Sequence, residues 1–169
     1  MLIEEIVKRR SIRAYQPKAI EPEKLQRVME AGRLAPTASN AQQWKIIVVE
    51  DEAVRHQLVD AASPHQAWLK QAPVILAACA LRPDDVMRCG HPPSLIDLSI
   101  VLDHISLQAV REGLGTCWIG SFYQDKAKKV LKIPGNIQIV ELMSLGYPAY
   151  TPSPTLRKPL DQFYKKNHW

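Results

Sequence analysis

Residues 94–112 read SLIDLSIVLDHISLQAVRE, and this stretch constrains the fold more than any other. Its apolar residues recur at helical spacing, so it is predicted to form a helix of residues 94–112. They occupy two roughly opposite faces, Leu98, Leu102, Ile105 and Ala109 on one, and Ile96, Ile100, Leu107 and Val110 on the other. A surface helix needs one apolar face only, so this helix is expected to be buried on both sides, within a large core or between a core and a second subunit. For a chain of 169 residues we favour the second subunit.

The segments on either side of this helix mix helices with strands. Upstream, the patterns predict a short helix at 1–8, a helix from Pro22 that ends before Pro36, a strand at 44–50, a helix at 51–62 capped by Asp51, and a buried strand at 73–81. Downstream, they predict a strand at 116–119, a helix at 124–131, a strand at 137–145 and a proline-rich tail at 147–169. Because these elements do not alternate as regular βαβ units, the fold class is α+β, with residues 1–169 as a single domain.

Composition excludes several classes of protein. The 22 Lys and Arg residues exceed the 17 Asp and Glu residues, but they are scattered rather than gathered into the patch of a nucleic-acid-binding protein. Three widely spaced cysteines do not form a disulfide framework, which fits a reducing cytoplasm. Glu4 and Glu5 interrupt any apolar leader, and the longest apolar stretch, 74–81, is far shorter than the ~20 residues of a membrane span. We therefore expect a cytoplasmic protein that binds neither nucleic acid nor membrane.

A basic motif follows the first predicted helix. Arg9, Arg10 and Arg13 lie within five residues of one another, together with Ser11. Guanidinium groups present forked donors that match phosphate oxygens, so the motif could clamp a phosphate. An exposed basic turn is the alternative.

Two further segments are candidates for ligand binding. Residues 36–44 read PTASNAQQW, and their amide and hydroxyl groups could bind a heterocycle edge or a polyol, although such residues are also common in simple turns. Residues 113–121 read GLGTCWIGS, which is not a dinucleotide fingerprint, but its glycines would let a flat ligand approach the backbone.

No catalytic side chain and no metal site are predicted. Cys89 and His91 lack a second pair of ligands at usable spacing, and Cys117 is of a residue type that is most often buried. The nucleophile elbow G-x-S-x-G, the P-loop and the H-E-x-x-H motif do not occur.

The order of these segments carries more information than any one of them. A helix followed by RRSIRAY, then LAPTASNAQQW leading into a strand, QAPVIL, and a long helix that ends in EGLGTCWIG resembles the nitroreductase family of FMN enzymes. The resemblance extends from Ile3 to about Lys158. It implies a mixed sheet flanked by helices and an intertwined homodimer with two FMN sites at the subunit interface, across which the long helix packs.

The resemblance also assigns roles to individual residues. The basic motif, Arg9, Arg10, Ser11 and Arg13, would hold the FMN phosphate and ribityl chain, with help from Arg157. The loop residues Pro36, Thr37, Ala38, Asn40 and Gln42 would reach the flavin from the other subunit. Trp118, Ile119, Gly120 and Ser121 would lie against the isoalloxazine. The chain departs from the family pattern at two of its positions. Thr155 stands where family members often have a basic residue, two positions before Arg157. Family members also tend to have an amide residue near positions 64–66 that contacts the flavin edge, and Gln66 is the nearest candidate here.

The expected function is electron transfer from NAD(P)H to a small organic acceptor, such as a nitroaromatic or a quinone, by a ping-pong mechanism. Two alternatives remain open. The chain could act on a flavin or another cofactor as its substrate, or it could bind flavin without turnover.

Overall fold

The computed structural model describes residues 1–169, which form five helices and four strands. The helices are α1 (Glu4–Lys8), α2 (Pro22–Arg33), α3 (Glu52–Ala62), α4 (Pro93–Arg111) and α5 (Gln124–Val130), and the strands are β1 (Trp44–Val49), β2 (Val74–Ala80), β3 (Gly115–Ile119) and β4 (Gln138–Gly146). All nine were predicted in this order, which confirms the α+β class. The predicted cap of α3 is also present, since Asp51 Oδ1 accepts a hydrogen bond of 2.9 Å from the Val54 N–H. The 3-10 segment Pro64–Gln71 was not predicted.

The four strands form a sheet in the order β1-β2-β4-β3, with every neighbouring pair antiparallel. The free edge of β3 gains a short parallel contact, because Ser11 bridges Thr116 and the Ile12 N–H donates to the Thr116 carbonyl at 2.9 Å. The four strands themselves are antiparallel throughout, so the mixed sheet that the resemblance implied is present only as this single parallel bridge. Gly115 permits it: a Cβ at that position would lie 2.3 Å from Ile12 Cγ1, far inside contact distance.

Each face of the sheet carries its own layer of buried side chains. On one face, α4 packs together with α2, and the first apolar face of α4 is fully buried there, at Leu98, Leu102, Ile105 and Ala109. On the other face, α3 and α5 cover a second cluster that includes Leu58, Cys79 and Leu142. The sheet is therefore buried on both sides, which explains the unbroken apolar sequence of β2.

The second apolar face of α4 is left largely uncovered within the chain. Leu95 and Ile96 are 43% and 44% exposed, and Ile100, Leu107 and Val110 are partly exposed. Helix α1 lies beside α4, and none of the residues of α1 is buried. The tail from residue 150 onward is almost entirely exposed, and its hydrogen bonds are internal. No helix is both long enough and apolar enough to cross a membrane.

Candidate functional site

The basic motif lies along the free edge of β3. The Ser11–Thr116 bridge fixes its position, with Arg9 half-buried and Arg13 exposed. Burial raises the pKa of the neighbouring Cys117 thiol, while the positive charges of Arg13 and Arg9 oppose that shift. Two cations thus converge on β3, and neither forms a salt bridge within the chain. Such free guanidinium groups are available to an anionic ligand.

Arg10 is engaged differently from its neighbours. Its Nη1 donates to the carbonyls of Val7 at 2.7 Å and Arg9 at 2.8 Å, and its Nε is buried without a partner. Carbonyls at the end of a helix lack intrahelical donors, so Arg10 caps the end of α1. The sequence could not separate Arg10 from Arg9 and Arg13, because all three belong to one short basic run.

The end of β3 and the two residues after it are partly open to solvent. Gly120 and Ser121 are exposed and Trp118 is 36% exposed, whereas the Ile119 side chain is buried in the core. Ile119 can therefore offer a ligand its main chain only. Two residues at the start of the 3-10 segment Pro64–Gln71 hold Ser121 in place. The Ser121 carbonyl accepts a hydrogen bond from Ser63 Oγ at 3.1 Å, and the Ser121 Oγ shares a hydrogen bond of 2.9 Å with His65 Nε2.

Gln66 follows His65 directly and is half-buried at this end of β3. Its backbone is kinked within the 3-10 segment, at φ −124° and ψ 50°. Its Oε1 is buried without a hydrogen-bond partner. Because a buried amide oxygen without a donor is costly, this atom fits an N–H group of a bound ligand.

Glu141 belongs to the same region and was missed by the sequence reasoning. Both of its carboxylate oxygens lie 3.6 Å from the place that a Cβ on Gly120 would occupy. Burial raises the pKa of this carboxyl, the backbone amide of Ile119 opposes the shift, and no cation pairs with it. A single acidic residue inside the apolar segment 137–145 was the available signal.

The polar loop lies elsewhere in the chain, at the amino end of α4. The Ala38 N–H donates to Asp97 Oδ1 at 3.0 Å, and an adjoining cavity of about 290 Å³ is bounded by the loop, the 82–87 segment and the first turns of α4. None of the loop's hydrogen bonds, and none of the residues that line this cavity, belongs to the β3-edge group. One chain thus carries two separate sets of candidate residues.

Arg157 belongs to neither set. Its Nη1 donates to Thr155 Oγ1 at 2.7 Å, within the exposed tail. The structure also brings together no group of three or more His, Cys, Asp or Glu side chains that could hold a metal ion.

Comparison with known proteins shows which family the chain belongs to. The model of the nitroreductase family matches residues 6–66 and 57–147, which together cover most of the chain. The chain belongs to the nitroreductase family. It is 33% identical over 149 residues to a putative NADH dehydrogenase/NAD(P)H nitroreductase of Archaeoglobus fulgidus, which covers 85% of this chain and 83% of the relative.

Two solved structures resemble this chain over nearly its full length. A nitroreductase family protein of Clostridium difficile superposes with a TM-score of 0.86 at 29% identity, over 100% of both chains. An NADPH:FMN oxidoreductase of Vibrio harveyi, solved with NAD⁺, gives a TM-score of 0.88 at 26% identity, over 98% of this chain and 76% of the other.

The structure divides the predicted site residues among three places in the chain. Arg9, Ser11, Arg13, Trp118, Gly120 and Ser121 gather along one sheet edge, together with Gln66 and Glu141. Pro36, Thr37, Ala38, Asn40 and Gln42 lie in the separate loop, and Arg157 lies in the tail. A single site built from all three segments needs the loop to come from another subunit, and the tail either to come from another subunit or to move.

Proposed function

We propose that this nitroreductase-family chain binds FMN, within one domain of residues 1–169, and passes electrons from NAD(P)H to a small organic acceptor. The convergence at the β3 edge carries the proposal: two unpaired guanidinium groups at one end, and exposed backbone with an unpartnered buried amide oxygen at the other. The Vibrio harveyi relative, named an NADPH:FMN oxidoreductase and solved with NAD⁺, supports the choice of cofactor and electron donor.

The residues present fit FMN in their chemistry. Arg9 and Arg13 would bind its phosphate with charge-assisted hydrogen bonds, and Ser11 lies between them in sequence. Gln66 Oε1, which lacks a donor in the chain, would accept the ring N–H of the isoalloxazine. The exposed backbone at Gly120 and Ser121 would donate to the other ring atoms. The absence of a nucleotide-binding fingerprint and the single phosphate clamp favour FMN over FAD.

The chain's part in the reaction is to bind and orient. FMN, when bound, would supply the redox chemistry that links hydride donation by NAD(P)H to reduction of the acceptor. Because the donor leaves before the acceptor binds in a ping-pong mechanism, both would use the same open side of the site. The exposed surface at Trp118 and Gly120 suits such an exchange. A nitroaromatic or a quinone is the proposed type of acceptor.

We also propose that the chain acts as a homodimer. The uncovered face of α4 adjoins the exposed apolar residues of α1, and a groove between them is lined by Ile3, Leu34 and Leu107. Large contiguous apolar patches on a protein surface mark interfaces. The exposed tail, with Leu156, Leu160 and Phe163 uncovered, adds apolar surface that an intertwined partner would bury.

The loop supplies the functional reason for a dimer. Its polar residues lie apart from the β3 edge of their own chain. In the proposed homodimer, the loop of one subunit completes the FMN site of the other. The site then depends on assembly, and separated subunits would bind FMN weakly.

Anaerobic reduction tests the proposed function. The protein is loaded with FMN, its absorbance is followed on addition of NADH or NADPH, and a quinone, a nitroaromatic or free FMN is then supplied. We expect a nicotinamide to bleach the flavin absorbance rapidly and an organic acceptor to restore it. In steady-state assays, double-reciprocal plots for NAD(P)H at several fixed acceptor concentrations should be parallel. A bound flavin that neither nicotinamide reduces would mean binding without turnover, and reoxidation by free flavin alone would mean that flavin is the substrate. An adenine-containing flavin, found by mass spectrometry of the cofactor that copurifies, would overturn the choice of FMN.

A further inference from the structure

The loop of residues 37–42 has a backbone conformation that its residues rarely adopt. Ser39, Asn40 and Gln42 have φ angles of 53°, 54° and 51°, although none of them is glycine. L-residues with side chains are uncommon in this left-handed region. Three of them within four positions need surroundings that hold the backbone in place.

Four hydrogen bonds within the loop shape its turn, and none of them ties it to the rest of the chain. The N–H groups of Asn40 and Gln42 donate to Thr37, at its carbonyl (3.0 Å) and at its Oγ1 (3.2 Å). The Ala41 N–H donates to the Ala38 carbonyl at 3.0 Å, and Gln42 Nε2 donates to the Asn40 carbonyl at 3.2 Å. The cavity of about 290 Å³ lies behind the loop, bordered by Ala38, Ser39 and Ala41. Packing therefore does not press these residues firmly against the body of the protein.

A single hydrogen bond joins the loop to the body of the protein. The Ala38 N–H donates to Asp97 Oδ1, on the buried side of α4, at 3.0 Å. Asp97 is 7% exposed and forms no salt bridge. Burying a carboxylate without a cation is costly, and its bond to an N–H is charge-assisted and roughly twice as strong as a neutral one.

We infer that Asp97 is a positioning residue, whose bond to Ala38 holds the 37–42 loop in the shape that directs Asn40 and Gln42 to the flavin. The inference rests on the proposed function, since it assumes that this loop contacts FMN. Without the anchor, the left-handed residues relax to ordinary backbone angles and Asn40 leaves its position. Asp97 itself touches neither flavin nor acceptor.

Four variants separate this role from a general effect on stability. Asp97→Ala removes the acceptor, and Asp97→Asn keeps an oxygen that accepts the bond without its charge. Ala38→Pro removes the donor and leaves the carboxylate intact, and the backbone of Thr37, at φ −132° and ψ 154°, already suits a residue that precedes proline. Asp60→Ala is the control, because Asp60 is an exposed aspartate on α3, which packs on the other face of the sheet.

Three measurements are made on the full-length protein and its variants. Hydrogen exchange at the Ala38 amide, followed by NMR without flavin, is measured in every variant except Ala38→Pro, which lacks this N–H, and it reports on the anchor alone. Fluorescence titration with FMN and with riboflavin reports on the link between the anchor and the site. Thermal unfolding by circular dichroism confirms that each variant is folded, and Ala38→Pro serves as the test if Asp97→Ala does not fold.

We expect faster exchange at Ala38 in Asp97→Ala and partial rescue in Asp97→Asn. We also expect a loss of about tenfold in affinity for FMN and riboflavin alike in Asp97→Ala and Ala38→Pro, the scale of one charge-assisted hydrogen bond. Unchanged exchange in Asp97→Ala overturns the anchor. Faster exchange with unchanged flavin affinity overturns the positioning role. A wild-type protein that binds no flavin overturns the proposed function instead, and the exchange data then still report on the anchor.

Discussion

Removing one guanidinium group from the basic motif should weaken the binding of FMN but not of riboflavin. Arg9 and Arg13 have no carboxylate partner in the chain, so binding a phosphate breaks no existing ion pair. A hydrogen bond to a charged group contributes about 1.5–3 kcal/mol, and about 1.4 kcal/mol changes a dissociation constant tenfold. Arg9→Ala and Arg13→Ala should each raise the Kd for FMN by about 10- to 100-fold. The half-buried Arg9 should have the larger effect, because water screens the exposed Arg13 more strongly.

Fluorescence titration of the flavin-free protein with both ligands, at one fixed salt concentration, measures these effects. Riboflavin lacks the phosphate, so its affinity should not change in either variant. Lys45→Ala is the control for charge, since Lys45 is exposed on β1 at the opposite edge of the sheet. Arg10→Ala should lower stability without separating the two ligands, because its guanidinium caps α1. Equal losses of FMN and riboflavin affinity in the Arg9 and Arg13 variants would show that the phosphate binds elsewhere.

Three further predictions follow from named contacts. Leu107→Glu places a charge on the uncovered face of α4 and should give a monomer in sedimentation at low micromolar concentration; a persistent dimer would place the interface elsewhere. Gly115→Ala forces a Cβ to within 2.3 Å of Ile12 Cγ1 and should lower the free energy of unfolding by about 1–3 kcal/mol, together with the affinity for FMN, whereas an unchanged Tm would contradict the contact. Burial raises the pKa of Glu141 in the folded state, so the folded protein holds this proton more tightly and stability falls as pH rises through the interval between the unfolded and folded values. Glu141→Gln should therefore raise the Tm at pH 7 more than at pH 4, and an equal change at both would refute the assignment.

The sequence by itself determined the secondary structure and the family. Helical spacing predicted α4 and showed that it has two apolar faces, and an aspartate cap predicted the start of α3. These signals can be recognised in the sequence because they arise between residues only three or four positions apart. The 3-10 segment Pro64–Gln71 escaped prediction because it buries a single residue, Leu69, and so shows no apolar period.

Only the tertiary structure decided which polar residues act together. It separated Arg10, which caps α1, from Arg9 and Arg13, and it brought Glu141 to the backbone of Gly120. It also joined Ala38 to Asp97, which is 59 positions away in the chain. Such contacts depend on the order of the strands and on the path of the chain across the sheet, which no local spacing records. The sequence could therefore name most of the candidate residues, but only the fold showed which of them lie together and which are already bonded within the chain.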